Sequence, residues 1–164
     1  MNILLSVGTR PNFIKITQFR KAAEELGANI RIVHTGQHYD RFMSGVFFDQ
    51  FQLHPDHFLA LNSKSPAEQV GEMILKLSQL MEATSPDYLM VPGDVNSTLA
   101  AAIAANKMGI PLGHLESGLR SKDRGMPEEI NRLLVDEISN DFFITEQSGI
   151  DNLRNEGKPD SAIH

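Results

Sequence analysis

The sequence contains no cysteine. That absence excludes disulfide frameworks, thiolate nucleophiles and cysteine-based zinc sites together, and it fits a reducing compartment. An excess of basic charge is also missing: 15 Lys and Arg stand against 21 Asp and Glu, a formal net charge of -6. General nucleic-acid binders and anionic-membrane binders favour basic surfaces, so neither class fits. A small anionic ligand held by a few local cations stays open. Long apolar runs are lacking too. The longest, over 99–105, falls far short of the roughly 20 residues that span a bilayer. The apolar run near the N-terminus follows no basic stretch and stops at Gly8, too short for a signal-peptide core. A cytoplasmic soluble protein is the expectation. There is no G-x-G-x-x-G or P-loop, no tandem repeat and no low-complexity segment.

The chain has 164 residues, which suits one domain with a core of its own. Its 41% hydrophobic and 22% charged residues are ordinary for a globular protein. Short apolar runs alternate with helical periodicity. Strands are expected over 3–7, 29–33, 88–91, 111–115 and 141–145, with another beginning at 161. Helices are expected over 11–26, 43–51, 66–81, 97–108, 127–139 and 147–156. Ser65, Pro66 and Glu68 form a capping box at the start of the third of these helices. The repeated βα order predicts an α/β fold, a Rossmann-like open parallel sheet with helices on both faces.

In such sheets ligands bind beyond the carboxyl ends of the strands. Arg10 follows the first strand, and Gln37 and His38 follow the second. Asp94 closes the run Val91-Pro92-Gly93-Asp94, and Glu116 follows the strand ending at Leu115. Each has a plainer structural reading. Arg10 and Lys15 are either solvated or flank an anion site at the N-terminus of the first helix. Asp94 reads equally well as a helix N-cap. Glu128 and Glu129 suit the positive end of the helix at Pro127, and Glu128 can pair with Arg132 at i,i+4. Glu116 has no capping role. His38 and His114 lack metal-ligand spacing with any nearby acid or histidine, so no metal site is expected. Met and Phe residues read as core, and the aromatic face over 43–51 as core or a dimer surface. Several carboxylates and cations at one edge suit acid–base work on an anionic substrate or binding of a phosphosugar.

The stretches Gly8-Thr9-Arg10-Pro11 with Lys15, Thr35-Gly36-Gln37-His38, Gly93-Asp94, His114 to Arg120 and Pro127 to Arg132 resemble the non-hydrolysing UDP-N-acetylglucosamine 2-epimerases, in that family's order. The resemblance implies the glycosyltransferase-B architecture, two Rossmann-like domains with the active site between them. Residues 1–164 would be the N-terminal domain, inactive alone, with the C-terminal domain absent. It implies interconversion of UDP-N-acetylglucosamine and UDP-N-acetylmannosamine without nicotinamide, metal or other cofactor. The C2 proton leaves, UDP is eliminated to give a 2-acetamidoglucal, and UDP re-adds with the proton on the opposite face. By motif position Asp94, Glu116 and Glu128 resemble the family's catalytic acids, and Arg10, Lys15 and Arg132 its substrate- and active-site-contacting cations. Gln37, His38 and Gln69 resemble the region where bacterial members bind a second UDP-N-acetylglucosamine as activator. A homodimer is expected. Asn12 departs from the family's usual Glu and Ser117 from its usual Ala, and 121–126 resembles a subgroup that includes epimerases of other 2-acetamido sugars. A glycosyltransferase-B half-domain and a non-catalytic nucleotide-sugar sensor are the alternative readings.

Overall fold

The computed structural model describes residues 1–36 and 54–164, apart from the side chain of Arg10. In chain order the elements are β1 (Asn2–Val7), α1 (Arg10–Lys15), α2 (Phe19–Glu25), β2 (Asn29–His34), β3 (His57–Phe58), α3 (Pro66–Thr84), β4 (Tyr88–Pro92), α4 (Asn96–Met108), β5 (Leu112–Leu115), α5 (Pro127–Ile138), β6 (Asp141–Phe143) and α6 (Gln147–Asn155). The strands form one parallel sheet in the order β3-β2-β1-β4-β5-β6. This is the doubly wound order, with the chain reversing direction across the sheet between β1 and β4.

The pleat assigns the two faces. Leu4, Leu89, Val91 and Leu112 pack with Met73, Leu77 and Met81 of α3, the alanines of α4 and Val135 of α5. Leu5, Val7, Ile32 and Met90 pack on the other face with Phe13, Ile16 and Ala23 from the α1–α2 segment. Each fully buried Leu or Met contributes roughly 1.5–3 kcal/mol of transfer free energy. Ala100, Ala101, Ala102, Ala104 and Ala105 are all buried, so α4 lies close against the sheet and between α3 and α5. The capping box of α3 forms as read: the Glu68 amide donates to the Ser65 hydroxyl at 3.3 Å, and the Ser65 amide to the Glu68 carboxylate at 3.1 Å.

Two expectations need adjustment, and one strand was not expected. The single helix over 11–26 is two helices, because residues 16–18 form a tight turn. The Ile16 amide bonds to the Phe13 carbonyl, and the Thr17 hydroxyl takes the Ile14 carbonyl that a continuing helix would use. The strand expected from 161 starts as a 3-10 turn, Asp160–Ala162, followed by a one-residue parallel bridge from Ile163 to Phe142. The edge strand β3 is only two residues long, too short to show a period. The helix expected over 43–51 lies outside the described residues.

Candidate functional site

The site lies where the carboxyl ends of β1, β4 and β5 meet the loops that leave them. Gly8 ends β1 against α4: a Cβ there would stand 1.9 Å from Ser97 Oγ, so only glycine allows the approach. Asn12, 3% exposed, ties α1 to the end of β4. Its Nδ2 donates to the Pro92 carbonyl at 2.7 Å, and its Oδ1 accepts from the Thr9 hydroxyl. An ionised Glu, the residue the resemblance leads one to expect, has no proton for that carbonyl. α1 itself spans only Arg10–Lys15. The Arg10 side chain lies outside the described residues.

Lys15 Nζ donates to Glu116 Oε2, with the two side chains 32% and 27% exposed. Glu116 stands at φ 64°, the left-handed region that a residue with a Cβ occupies at a cost of roughly 1–2 kcal/mol. Its amide and that of Ser117 both donate to the Phe143 carbonyl, at 2.8 and 3.2 Å, which holds the turn. Gly93, at φ 71°, reaches the same spot: a Cβ there would lie 3.5 Å from Lys15 Nζ and 4.0 Å from Glu116 Oε2.

Asp94 is not an N-cap. Val95 holds that position for α4, and the Asp94 carboxylate pairs instead with Arg132 Nη2 at 2.5 Å. Asn131 Nδ2 donates to the Asp94 carbonyl at 2.8 Å. The i,i+4 pair expected between Glu128 and Arg132 does not form. Arg132 turns to Asp94 and, at 3.4 Å, to Glu129. Glu128 is exposed in the first turn of α5. Glu129, read from sequence as an ordinary first-turn acid, is 2% exposed. It accepts from the Ser121 amide at 2.8 Å, the Ser121 hydroxyl at 3.1 Å and the Lys122 amide at 3.0 Å. Burial pushes its carboxyl up. These donors and Arg132 outweigh burial and hold it below the usual glutamate value.

Beneath these pairs lies a buried charge chain that the sequence reading missed. His114 Nδ1 is 2.6 Å from Asp136 Oδ1, and His114 Nε2 is 2.8 Å from the Gly93 carbonyl. Asp136 Oδ2 accepts from the Gly118 amide at 3.0 Å and pairs with Arg120 Nη1 at 2.8 Å. Arg120 also donates from Nε to Glu156 at 2.8 Å. Burial raises the Asp136 carboxyl, but the hydrogen bond to His114, the charges of His114 and Arg120 and the Gly118 amide bring it below the usual value. Only His114 lies inside a family-like stretch, and nothing in the sequence pairs it with Asp136, 22 residues on.

The allosteric expectation is reached only at Gln69, half-buried on α3, whose Nε2 lies 3.4 Å from the Ser63 carbonyl. A cavity of about 500 Å³ adjoins it, lined by Asn62, Ser63, Lys64, Glu68 and Glu72. Gln37 and His38 lie outside the described residues. At the end of β2, His34 stacks between Phe13 and Phe58, with ring centroids 5.3 and 5.0 Å away. Burial pushes its pKa down to about 4, so the ring is neutral near pH 7, and its Nδ1 accepts the Gly36 amide at 2.8 Å. A second cavity of about 450 Å³ opens beside Arg132, lined also by Ser121, Lys122, Glu146, Ser148 and Asn152. Among the described residues no group of three His, Asp or Glu is placed to hold a metal ion. No helix among them is long and apolar enough to cross a membrane.

Fold and site together define a doubly wound α/β domain with an acid–cation cluster at its topological switch point. A sequence profile described as UDP-N-acetylglucosamine 2-epimerase matches residues 20–164, and the chain belongs to that family. It is 44% identical over 162 residues to a UDP-N-acetylglucosamine 2-epimerase homolog of Methanococcus maripaludis, covering 96% of this chain and 44% of the relative. Against the UDP-2,3-diacetamido-2,3-dideoxy-D-glucuronate 2-epimerase of Pseudomonas aeruginosa the identity is 43%, over 96% of this chain and 45% of that one. The crystal structure of the Methanocaldococcus jannaschii UDP-GlcNAc 2-epimerase in complex with UDP-GlcNAc and UDP superposes with a TM-score of 0.94 at 38% identity. That match covers 100% of this chain and 46% of the other. The chain thus spans about half the length of the relatives it matches.

Proposed function

We propose that these residues are the N-terminal domain of a nucleotide-sugar 2-epimerase acting on UDP-N-acetylglucosamine or a related 2-acetamido sugar. The observation that carries this reading is the pair of half-exposed carboxylates, Asp94 and Glu116, each on its own cation at the switch point. The names of the relatives supply the substrate class. A second domain supplies the other wall of the cleft, and the complete protein works as a cytoplasmic homodimer.

In this reading one carboxylate among Asp94, Glu116 and Glu128 accepts the C2 proton. The C1–O bond to the β-phosphate breaks as the C1–C2 double bond forms, and UDP departs as the anion. UDP then adds back to C1 while a carboxylic acid delivers a proton to the other face of C2. Two acids on opposite faces serve this sequence better than one, because each inversion at C2 needs a base on one side and an acid on the other. Lys15, Arg132 and Arg10 offset the charge of the departing UDP. Gln37, His38 and Gln69 take part in binding a second nucleotide sugar as activator.

The test is deuterium uptake at C2 from D2O, followed by NMR in the full-length protein that contains this chain. Asp94→Asn and Glu116→Gln should each abolish most of the exchange, and undiminished exchange in both overturns the assignment. The isolated 164 residues should show little or no turnover. Robust epimerisation by them would refute the need for a second domain.

A further inference from the structure

The two turns that carry Asp94 and Glu116 share one buried anchor. His114 is fully buried in the middle of that anchor, with a side-chain exposure of 0% beside 1% for Asp136. Its Nε2 faces the Gly93 carbonyl at 2.8 Å, and a carbonyl can only accept, so Nε2 bears a proton. Its Nδ1 faces Asp136 Oδ1 at 2.6 Å. The other oxygen of that carboxylate already takes the Gly118 amide and the Arg120 guanidinium, both of which can only donate. An acid surrounded by donors is ionised, so Nδ1 bears a proton too. The ring is then an imidazolium, and the charges alternate along His114, Asp136, Arg120 and Glu156.

We infer that His114 and Asp136 form a positioning pair that sets Asp94 and Glu116 relative to one another. From the ring, one arm reaches the carbonyl of Gly93, the residue before Asp94. From the carboxylate, the other reaches the amide of Gly118, two residues after Glu116. The remaining groups of the first turn are held as well. The Gly93 amide donates to the Leu115 carbonyl at 3.0 Å, and the Asp94 carbonyl accepts from Asn131. Gly93 at φ 71° and Gly118 at φ 78° are both left-handed, so neither turn is set by local preference alone. Neither His114 nor Asp136 reaches the open edge, which makes them positioning residues. The effect on turnover rests on the epimerase reading above; the two ring protons and the shared anchor do not.

The first experiment uses the unaltered full-length protein with 15N-labelled histidine. At pH 7 the His114 ring should show two slowly exchanging N–H protons, one on each nitrogen. A ring with a single N–H overturns the pair as drawn. The second uses Asp136→Asn, which keeps the shape, removes the negative charge and replaces one acceptor oxygen by a donor nitrogen. In the folded variant the backbone amide resonances of both Asp94 and Glu116 should shift together. If they stay in place, the shared anchor is wrong, whatever the activity. Where the wild-type protein exchanges C2 hydrogen, the variant should lose about 10- to 100-fold in kcat with KM within about twofold, as a misplaced acid requires. Wild-type kcat per folded molecule overturns the positioning role. If the wild-type protein shows no C2 exchange, the epimerase reading fails, while the proton count and amide shifts still decide the anchor. If Asp136→Asn does not fold, the wild-type proton count decides it.

Discussion

Two layers of charge lie at the carboxyl edge of this sheet. In the upper layer, Lys15 with Glu116 and Arg132 with Asp94 are 18–32% exposed, and each carboxylate has a single cation. In the lower layer His114, Asp136 and Glu129 are almost wholly buried, and each has two or more polar partners. Depth explains the difference. A buried charge left without partners costs several kcal/mol, so the lower layer persists only as a fully bonded set. A half-exposed charge keeps water as an alternative partner and can exchange its cation for a ligand at little cost. The lower layer therefore holds the frame, and the upper layer is free to take part in chemistry.

The largest expected effect is in the lower layer. Asp136→Ala strands His114 in the interior, leaves Arg120 with Glu156 alone, and should destabilise the protein by about 3–5 kcal/mol in denaturant titration. A loss under about 1 kcal/mol would erase the distinction between layers. The next effect is in pH. His34 binds no proton in the folded state until about pH 4, whereas its ordinary value is 6.5. The unfolded chain therefore takes up a proton first, and stability should fall from about pH 6.5 to about 4, by about 3 kcal/mol in all. His34→Phe should flatten that window. Below it, Asp136 and Glu129, both held under their ordinary values, lose their contribution as pH falls through their folded values. Glu129→Gln should flatten only this lower limb, at a cost near neutrality of about 1–3 kcal/mol for the donors left unsatisfied. A wild-type stability curve flat from pH 6.5 to 3 would contradict both assignments.

The sequence exposes much of the upper layer and little of the lower. Periodicity and the capping box locate α3, which buries a regular stripe, and continuous apolar runs locate α4 and the strands β1, β4 and β5, which are buried nearly throughout. The break at 16–18 escapes it, since the apolar spacing of Ile16, Phe19 and Ala23 runs straight through a turn made by a hydroxyl and a 3-10 bond. Asp94 and Glu116 stand out as polar residues after apolar strands. Glu129 does not, because two adjacent acids in a first turn look alike until packing turns one inward. His114 and Asp136 are 22 residues apart on different elements, and only the fold makes them neighbours.

The smallest expected effect tests whether the upper layer is separable from the frame. Glu116→Ala removes the pair with Lys15 but leaves a Cβ in the left-handed turn, and should cost no more than about 1 kcal/mol. Glu116→Gly removes the pair and the Cβ together. Relief of roughly 1–2 kcal/mol of left-handed strain is partly offset by glycine's greater freedom when unfolded, so glycine should be more stable than alanine by about 1 kcal/mol. Both variants should be equally devoid of C2 exchange in the full-length protein. Equal activity with unequal stability would mean that the turn stores its strain for the sake of the side chain it presents. If alanine proves the more stable, the Glu116 backbone holds no strain. If Glu116→Ala destabilises as much as Asp136→Ala, the acid at the open edge belongs to the frame, and the division by depth fails.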